Sequence, residues 1–351
     1  LEFRRREHSE QQRLRRPLDR ADPHPDDPRF ALNAVTEPVP ALDKAAKIFV
    51  TGHRGFAGSA VVRALEQRGY TNLLLRSHSE LDLTDQRAVH EFFQTEKPEY
   101  VFNLAAKMGG ILAAVTESAE FIYENLMIQS NVIHSAYLSG VKKLLFVSST
   151  SIFPRDCPQP IKEEHLLTGP MEPTNLSYAI ARIAGIVMCQ AYDKQYGTRF
   201  ISALATNLYG PNDDFDATRS HVFSAMIRKF HEAVQNDQSD VELWGTGSPR
   251  REFLHVDDFA DACLFLMERY EDPEIVNIGT GTDVSLRDLA EKIRSAAGHT
   301  GNVTWDPSRP DGFPRKWHDV SKLHSLGWEH HIDLDEGIES TLRWFSEQYG
   351  R

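Results

Sequence analysis

The sequence predicts an α/β protein built on a doubly wound parallel sheet, and three observations predict it. A short apolar run, Ile48, Phe49 and Val50, leads into Gly52, Gly55 and Gly58 and then into apolar positions at helical period. From Lys47 onward strand-like and helix-like segments alternate, which calls for right-handed crossovers and a parallel sheet covered on both faces. The last third of the chain loses this alternation. It reads as a small cap over the carboxyl ends of the strands, where ligands bind in such folds.

The first strand is continuous and apolar, as a strand buried on both faces must be. Its three glycines have separate tasks: a tight turn, close approach of the backbone to a pyrophosphate, and close packing of helix on strand. The helix that opens at about Ala57 would turn its unpaired N–H groups toward that phosphate. Further strands are expected over residues 72–76, 100–106 and 143–149, and again from Ile201. Helices are expected over residues 86–94, 122–139, 178–196 and 222–234, with a short segment at 241–244. The organisation that follows is an extension over residues 1–46, a mainly NADP-binding unit over 47–210, and a mainly substrate-binding cap over 211–351. Some cap segments are expected to return to the first unit.

Bulk properties exclude several classes of function. The 351 residues carry a net charge of −12, which argues against a nucleic-acid partner. No apolar run is long enough to span a membrane. Cys157, Cys189 and Cys263 show neither paired nor metal-ligand spacing, so no metal is expected and a reducing compartment is.

The extension breaks the acidic trend with Arg4, Arg5, Arg6, Arg13, Arg15, Arg16 and Arg20, then runs through a Pro/Asp stretch from Asp22 to Pro28. A segment so polar has no core of its own, and order in it requires contacts elsewhere. It is therefore expected to be a docking arm, in a larger assembly one that touches other subunits. The chain opens on Leu1, as a processed precursor or an incomplete sequence would, so an organellar destination stands beside a cytoplasmic one.

Candidate cofactor residues are Gly52, Arg54, Gly55, Phe56 and Gly58 in the glycine turn, with Leu104, Ala105 and Ala106 at the end of the third strand. The second strand ends in Arg76 rather than in an acidic residue. Two guanidinium groups, Arg54 and Arg76, favour the 2′-phosphate of NADP(H). The alternative is that Arg76 is a solvated strand end. Asp82 would meet the adenine edge. The catalytic candidates are Ser149 at the end of the fourth strand, and Tyr178 with Arg182 four residues on, side by side on one helix face. A cation beside the phenol stabilises tyrosinate, so that Tyr178 can exchange a proton with a carbonyl oxygen that Ser149 also holds. Together they indicate hydride transfer at a carbonyl or an alcohol.

At this point the chain resembles the extended short-chain dehydrogenase/reductases, and among them the nucleotide-sugar epimerase/reductases of the GDP-L-fucose synthase family. The motifs include Val50-Thr-Gly-His-Arg-Gly55, Ala105-Ala-Lys-Met-Gly-Gly110 and Ser151-Ile-Phe-Pro154. Thr206-Asn-Leu-Tyr-Gly-Pro211, Trp244-Gly-Thr-Gly-Ser-Pro249 and Arg251-Glu-Phe-Leu-His-Val-Asp-Asp258 extend the set. The likeness runs from about Lys47 to near the C-terminus.

It implies an NADPH-dependent enzyme of a GDP-4-keto-6-deoxy-hexose, cytoplasmic and homodimeric. Tyr178 would be the proton donor, Arg182 would lie with the cofactor, and His221 would be an acid in epimerisation. Asn207, Lys229, Trp244 and Arg251 would face the GDP-sugar. Two positions depart from the family: Ser151 replaces the cysteine base of epimerisation, and Arg182 replaces a lysine. A serine hydroxyl is a weak base, and the planar guanidinium is bulkier than an ammonium. The readings that follow are a working epimerase/reductase, a 4-reductase or a relative using another GDP-sugar, and a former enzyme kept as a structural subunit.

Overall fold

The computed structural model describes residues 42–217, 220–309 and 311–350. The docking-arm expectation for residues 1–41 lies outside them. Residues 42–46 are part of the body. Leu42 and Ala46 are buried, the Leu42 carbonyl accepts from the Tyr70 hydroxyl at 3.4 Å, and Lys44 lies 3.7 Å above the Tyr70 ring. The body therefore begins several residues ahead of the first strand.

The core is a six-stranded parallel sheet. Its strands are β1 (Ile48–Thr51), β2 (Leu73–Leu74), β3 (Tyr100–Asn103), β4 (Lys143–Ser149), β5 (Phe200–Ala205) and β10 (Val276–Ile278). The spatial order is β10-β5-β4-β3-β1-β2, with every pair parallel. β1 is interior, as its unbroken apolar run requires. Side chains alternate between the layers: Ile48 and Val50 join one core cluster with Phe102, and Phe49 and Val101 join the other. The first layer includes α1 (Phe56–Gln67) and α7 (Val256–Arg269). The second includes α2 (Gln86–Glu96), α4 (Ser118–Leu138) and α5 (Leu176–Tyr196). A short helix, α3 (Ile111–Thr116), leads into α4.

The strands end for identifiable reasons. The expected strand 100–106 stops at Asn103, because Leu104 and Ala105 turn their N–H groups onto the Thr51 hydroxyl at 3.0 and 2.9 Å. The last strand expected from Ile201 divides at Thr206, whose N–H still reaches Ile278 O. Beyond it β6 (Asn207–Tyr209) pairs with β9 (Phe253–His255) in a separate two-stranded sheet.

The cap is built on α6 (Val222–Gln235), with β7 (Asp240–Trp244) paired parallel to β12 (Asn302–Asp306). α8 (Leu286–Ala297) and α10 (Leu334–Tyr349) close a third apolar cluster around Phe223, Ile227, Phe230, Ile293 and Phe345. A separate three-stranded sheet runs in the order β11 (Val284–Ser285), β8 (Arg250–Arg251) and β13 (Arg315–Lys316), and α9 (Ser321–Ser325) follows in sequence.

The approach of α1 to β1 is the tightest contact in the first unit. A Cβ on Gly58 would lie 2.1 Å from Gly52 O, inside any van der Waals contact. Gly58→Ala should therefore lower stability by about 1–3 kcal/mol, the range for overpacking a tight site. Urea unfolding reads this directly. An unchanged midpoint would show that the helix can retreat without loss.

Candidate active site

The site begins at the turn after β1. Gly52 has φ +68°, and a Cβ there would stand 3.1 Å from the Ala105 backbone. The Thr51 hydroxyl donates to Asn103 Oδ1 at 2.9 Å while accepting from Leu104 and Ala105, so residues 104–106 are laid against the glycine turn. Gly55 caps α1 without a side chain, and the first turn carries no carboxylate. The leading N–H groups are left for an anion. Phe56 is half-buried and packs into the core beneath the turn.

Around this turn, the expected nucleotide residues have different fates. Arg54 is exposed at the rim. The guanidinium of Arg76 is already engaged: it donates to Glu96 Oε1 at 2.7 Å and lies 5.5 Å over the Phe92 ring, both on α2. The Asp82 carboxylate is also committed. It accepts from the N–H and hydroxyl of Thr84 at 2.9 and 2.7 Å, in the turn that precedes α2. These bonds, first the backbone one and then the hydroxyl, hold the Asp82 carboxyl below its ordinary range.

The catalytic candidates converge at the end of β4. Ser149 Oγ accepts from Ser151 N at 3.2 Å and so caps the single 3₁₀ turn Thr150–Ile152. Asn175, just ahead of α5, ties the same turn down through Ser151 O and Oγ at 3.2 and 3.4 Å. Tyr178 lies buried in the first turn of α5, with Arg182 one turn on. The guanidinium is 1% exposed, donates through Nη2 to Val147 O, and sits 4.2 Å over the Phe146 ring. Its Nε and Nη1 are buried with no partner. Burial pushes the Tyr178 phenol up, opposed by the Arg182 charge, and burial likewise lowers Arg182.

The cap supplies the remaining residues. His221 is exposed at the N-cap of α6. Burial pushes up the carboxyl of nearby, half-buried Asp213, opposed first by its hydrogen bonds from the Ser224 hydroxyl and Asp214 N–H. Asn207 donates to Glu252 O at 2.8 Å, and Lys229 to Glu242 O at 2.7 Å. The Trp244 side chain is 65% exposed beneath the Arg309 guanidinium.

Arg251 and Lys316 are cross-strand partners in β8 and β13. Their neighbours Arg250 and Arg315 share the Asp283 carboxylate. Among the described residues the inner pair shares no carboxylate in this way, although the Asp311 charge acts on Arg251. Like charges placed opposite each other repel, so an anion between them would relieve this pair. Burial, then the charge of Arg251, lowers Lys316 to about 8.

This arrangement has close counterparts among known proteins. Residues 48–279 match the NAD dependent epimerase/dehydratase family. The chain belongs to that family. Over 306 residues it is 57% identical to the putative GDP-L-fucose synthase 2 of Arabidopsis thaliana, covering 87% of this chain and 93% of that one. With the GDP-L-fucose synthase of Escherichia coli (strain K12) it shares 49% identity over 314 residues, covering 87% and 98%. The solved structure of MlghC, a GDP-mannoheptose C4 reductase from Campylobacter jejuni with NADP bound, superposes with a TM-score of 0.80. That pair is 40% identical, with 87% and 99% covered.

In this member of the epimerase/dehydratase family, the residues present fit a dinucleotide. At Gly52 and Gly58 a Cβ would run into backbone, α1 opens without a side-chain cap, and Arg182 keeps two buried nitrogens, Nε and Nη1, unused. Lys316 was not among the expected residues. Its sequence signal is the basic doublet Arg315-Lys316, which pairs with Arg250-Arg251 from 65 positions away. Among the described residues no helix is long and apolar enough to cross a membrane.

Arg182 gives a test of what its charge is for. Replacing a buried charged group by an apolar side chain of similar volume is often neutral or stabilising by about 1–4 kcal/mol. Arg182→Met should therefore unfold at the wild-type urea concentration or above it. A large loss of stability would show that the guanidinium is needed by the fold itself.

Proposed function

We propose that this chain is an NADPH-dependent epimerase/reductase of a GDP-4-keto-6-deoxy-hexose, a GDP-L-fucose synthase in which reduction outruns epimerisation. The observation that carries this reading is Tyr178 buried one turn from Arg182, on the helix that packs against the Thr150–Ile152 turn after Ser149. The glycine turn with α1 would hold the pyrophosphate, and Tyr178 with Arg182 would hold the nicotinamide ribose. Leu104, Ala105 and Ala106 would line the wall between them. NADPH supplies the hydride when bound. Tyr178 keeps its proton at neutral pH and gives it to the C4 carbonyl oxygen as the alcohol forms; Arg182 then stabilises the tyrosinate that remains. Arg251 and Lys316 would take the diphosphate of the GDP-sugar. The three free cysteines are all buried, which fits a reducing compartment such as the cytoplasm.

The 2′-phosphate is assigned chiefly to Arg54, because Arg76 must leave Glu96 before it can contribute. Arg54→Ala should cost about 1–3 kcal/mol in NADPH affinity, as for a hydrogen bond to a charged group, and little in NADH affinity. Arg76→Ala should cost less than Arg54→Ala. Titration of both dinucleotides decides this, and equal losses with NADPH and NADH would remove the assignment.

Epimerisation needs a base strong enough to take a proton from carbon. Among the described residues Ser151 is hydrogen-bonded to Asn175 and Ser149, neither of which takes up a proton from it. Its hydroxyl is thus unactivated. NADPH oxidation with GDP-4-keto-6-deoxy-mannose, followed by NMR of the product, tests the whole reading. The expected result is turnover, a loss of about 10²–10⁴-fold in Tyr178→Phe, and faster solvent exchange at C3 and C5 in Ser151→Cys. No oxidation of NADPH would defeat the reading.

Ser151, with the likeness to a C4 reductase, favours one second reading: a 4-reductase that leaves C3 and C5 untouched. The same NMR spectrum would then show an unepimerised product. A structural-subunit role finds no support, since the relatives described are all named as synthases or reductases.

A further inference from the structure

Where the main sheet meets the cap, Glu252 is a carboxylate with no exposure at all. It lies between β8 and β9 and spends both oxygens. Oε1 accepts from the N–H groups of Thr280 and Gly281 at 2.7 and 2.8 Å. Oε2 accepts from His318 N at 3.0 Å, from the Thr206 hydroxyl at 3.2 Å, and from the His318 ring at Nδ1, 2.5 Å away. His318 is equally sealed. Donation from Nδ1 to a carboxylate fixes the tautomer and leaves Nε2 as a buried lone pair without a partner.

The neighbours of this pair give it consequence. Arg251 directly precedes Glu252, and Lys316 stands two residues before His318. The Glu252 N–H reaches Lys316 O at 3.3 Å. On the other side, His318 forms a parallel bridge with Ile161. Asn277, at the heart of β10, ties Ile161 O and Asp319 O together at 3.0 and 3.2 Å. The His318 ring also lies 6.2 Å from the ring of Phe153, which directly follows the Ser149–Ile152 turn. One buried contact thus connects the two cations of the cap to the turn that carries the reacting groups.

We propose that Glu252 and His318 form a positioning pair that sets Arg251 and Lys316 at a fixed distance and orientation from the Ser149–Tyr178 site. The inference rests on the reading that these cations bind the diphosphate of a GDP-sugar. Its physical basis is direction. An apolar pair in this place would bury surface without specifying register, whereas a carboxylate with five donors from three segments accepts one arrangement of them. A sealed carboxylate and imidazole carry a desolvation cost that packing alone would not require. The arrangement therefore yields a constrained geometry between an anion site and a proton donor.

The test uses the full chain with His318→Leu, His318→Asn and His318→Gln. Calorimetry gives the Kd for GDP, and steady-state kinetics give KM and kcat with GDP-4-keto-6-deoxy-mannose and NADPH. His318→Leu removes the donor to Glu252 and should raise both Kd and KM about tenfold, with kcat within about twofold of wild type. The amide nitrogen of His318→Asn occupies the place of Nδ1 and should restore most of the affinity. Unchanged Kd in His318→Leu, or equal losses in His318→Leu and His318→Asn, would overturn the proposal.

If the leucine variant does not fold, the amides decide. The glutamine amide falls near Nε2, so tighter GDP binding by His318→Asn than by His318→Gln supports the pair, and equal binding overturns it. GDP affinity is read without turnover. A wild-type protein that binds GDP but does not oxidise NADPH defeats the proposed reaction alone, whereas one that binds no GDP defeats the positioning role as well.

Discussion

The sealed carboxylate of Glu252 is the constraint on which the join between sheet and cap depends. It draws donors from the end of β5, from the loop after β10 and from the segment after β13, which are separated by long stretches of chain. A buried carboxylate left short of partners is costly, so these segments cannot drift independently. The chain leaves the main sheet at Thr206, and the carboxylate that receives the Thr206 hydroxyl also receives the strands that return. The join between the main sheet and the cap is consequently built around one charged group.

The candidate site at the end of β4 contains a second unusual charge. Arg182 lies under the site with a single hydrogen bond, one aromatic face and two unused N–H groups. In the closed protein this is an expensive arrangement, and a dinucleotide ribose is the kind of partner that would complete it. Ser151 differs in kind. Its neighbours hold its position and leave its hydroxyl without a base. In the proposed reaction both differences from the family pattern would act on different steps: Arg182 on the proton that Tyr178 gives, Ser151 on the proton taken from carbon.

Much of this was legible in the sequence because the relevant signals are local. The run Ile48 to Val50, the glycine spacing and the Tyr178–Arg182 pair all lie within a few residues of one another, and each adopts the element expected. Strand ends were less legible, because they are set by residues elsewhere: the Thr51 hydroxyl ends β3, and pairing with β9 takes the chain away from β5 beyond Thr206. Leu42 and Ala46 are two apolar residues in a polar stretch, and only Tyr70, brought over by the sheet, shows why they are buried. Arg76 looked free for a phosphate because its partner, Glu96, lies 20 positions away on α2. Lys316, Glu252 and His318 belong to contacts spanning more than 60 positions, where no periodicity gives a warning.

The central claim is that the buried tyrosine beside Arg182 completes a hydride transfer to a sugar carbonyl. It is tested most directly by mass and NMR analysis of the product formed from GDP-4-keto-6-deoxy-mannose with NADPH deuterated at the reactive C4 position. The account predicts one deuterium at sugar C4 in the wild type and almost none in Tyr178→Phe, with NADPH still bound by both. A protein that binds NADPH and the GDP-sugar together but transfers no deuterium would contradict it.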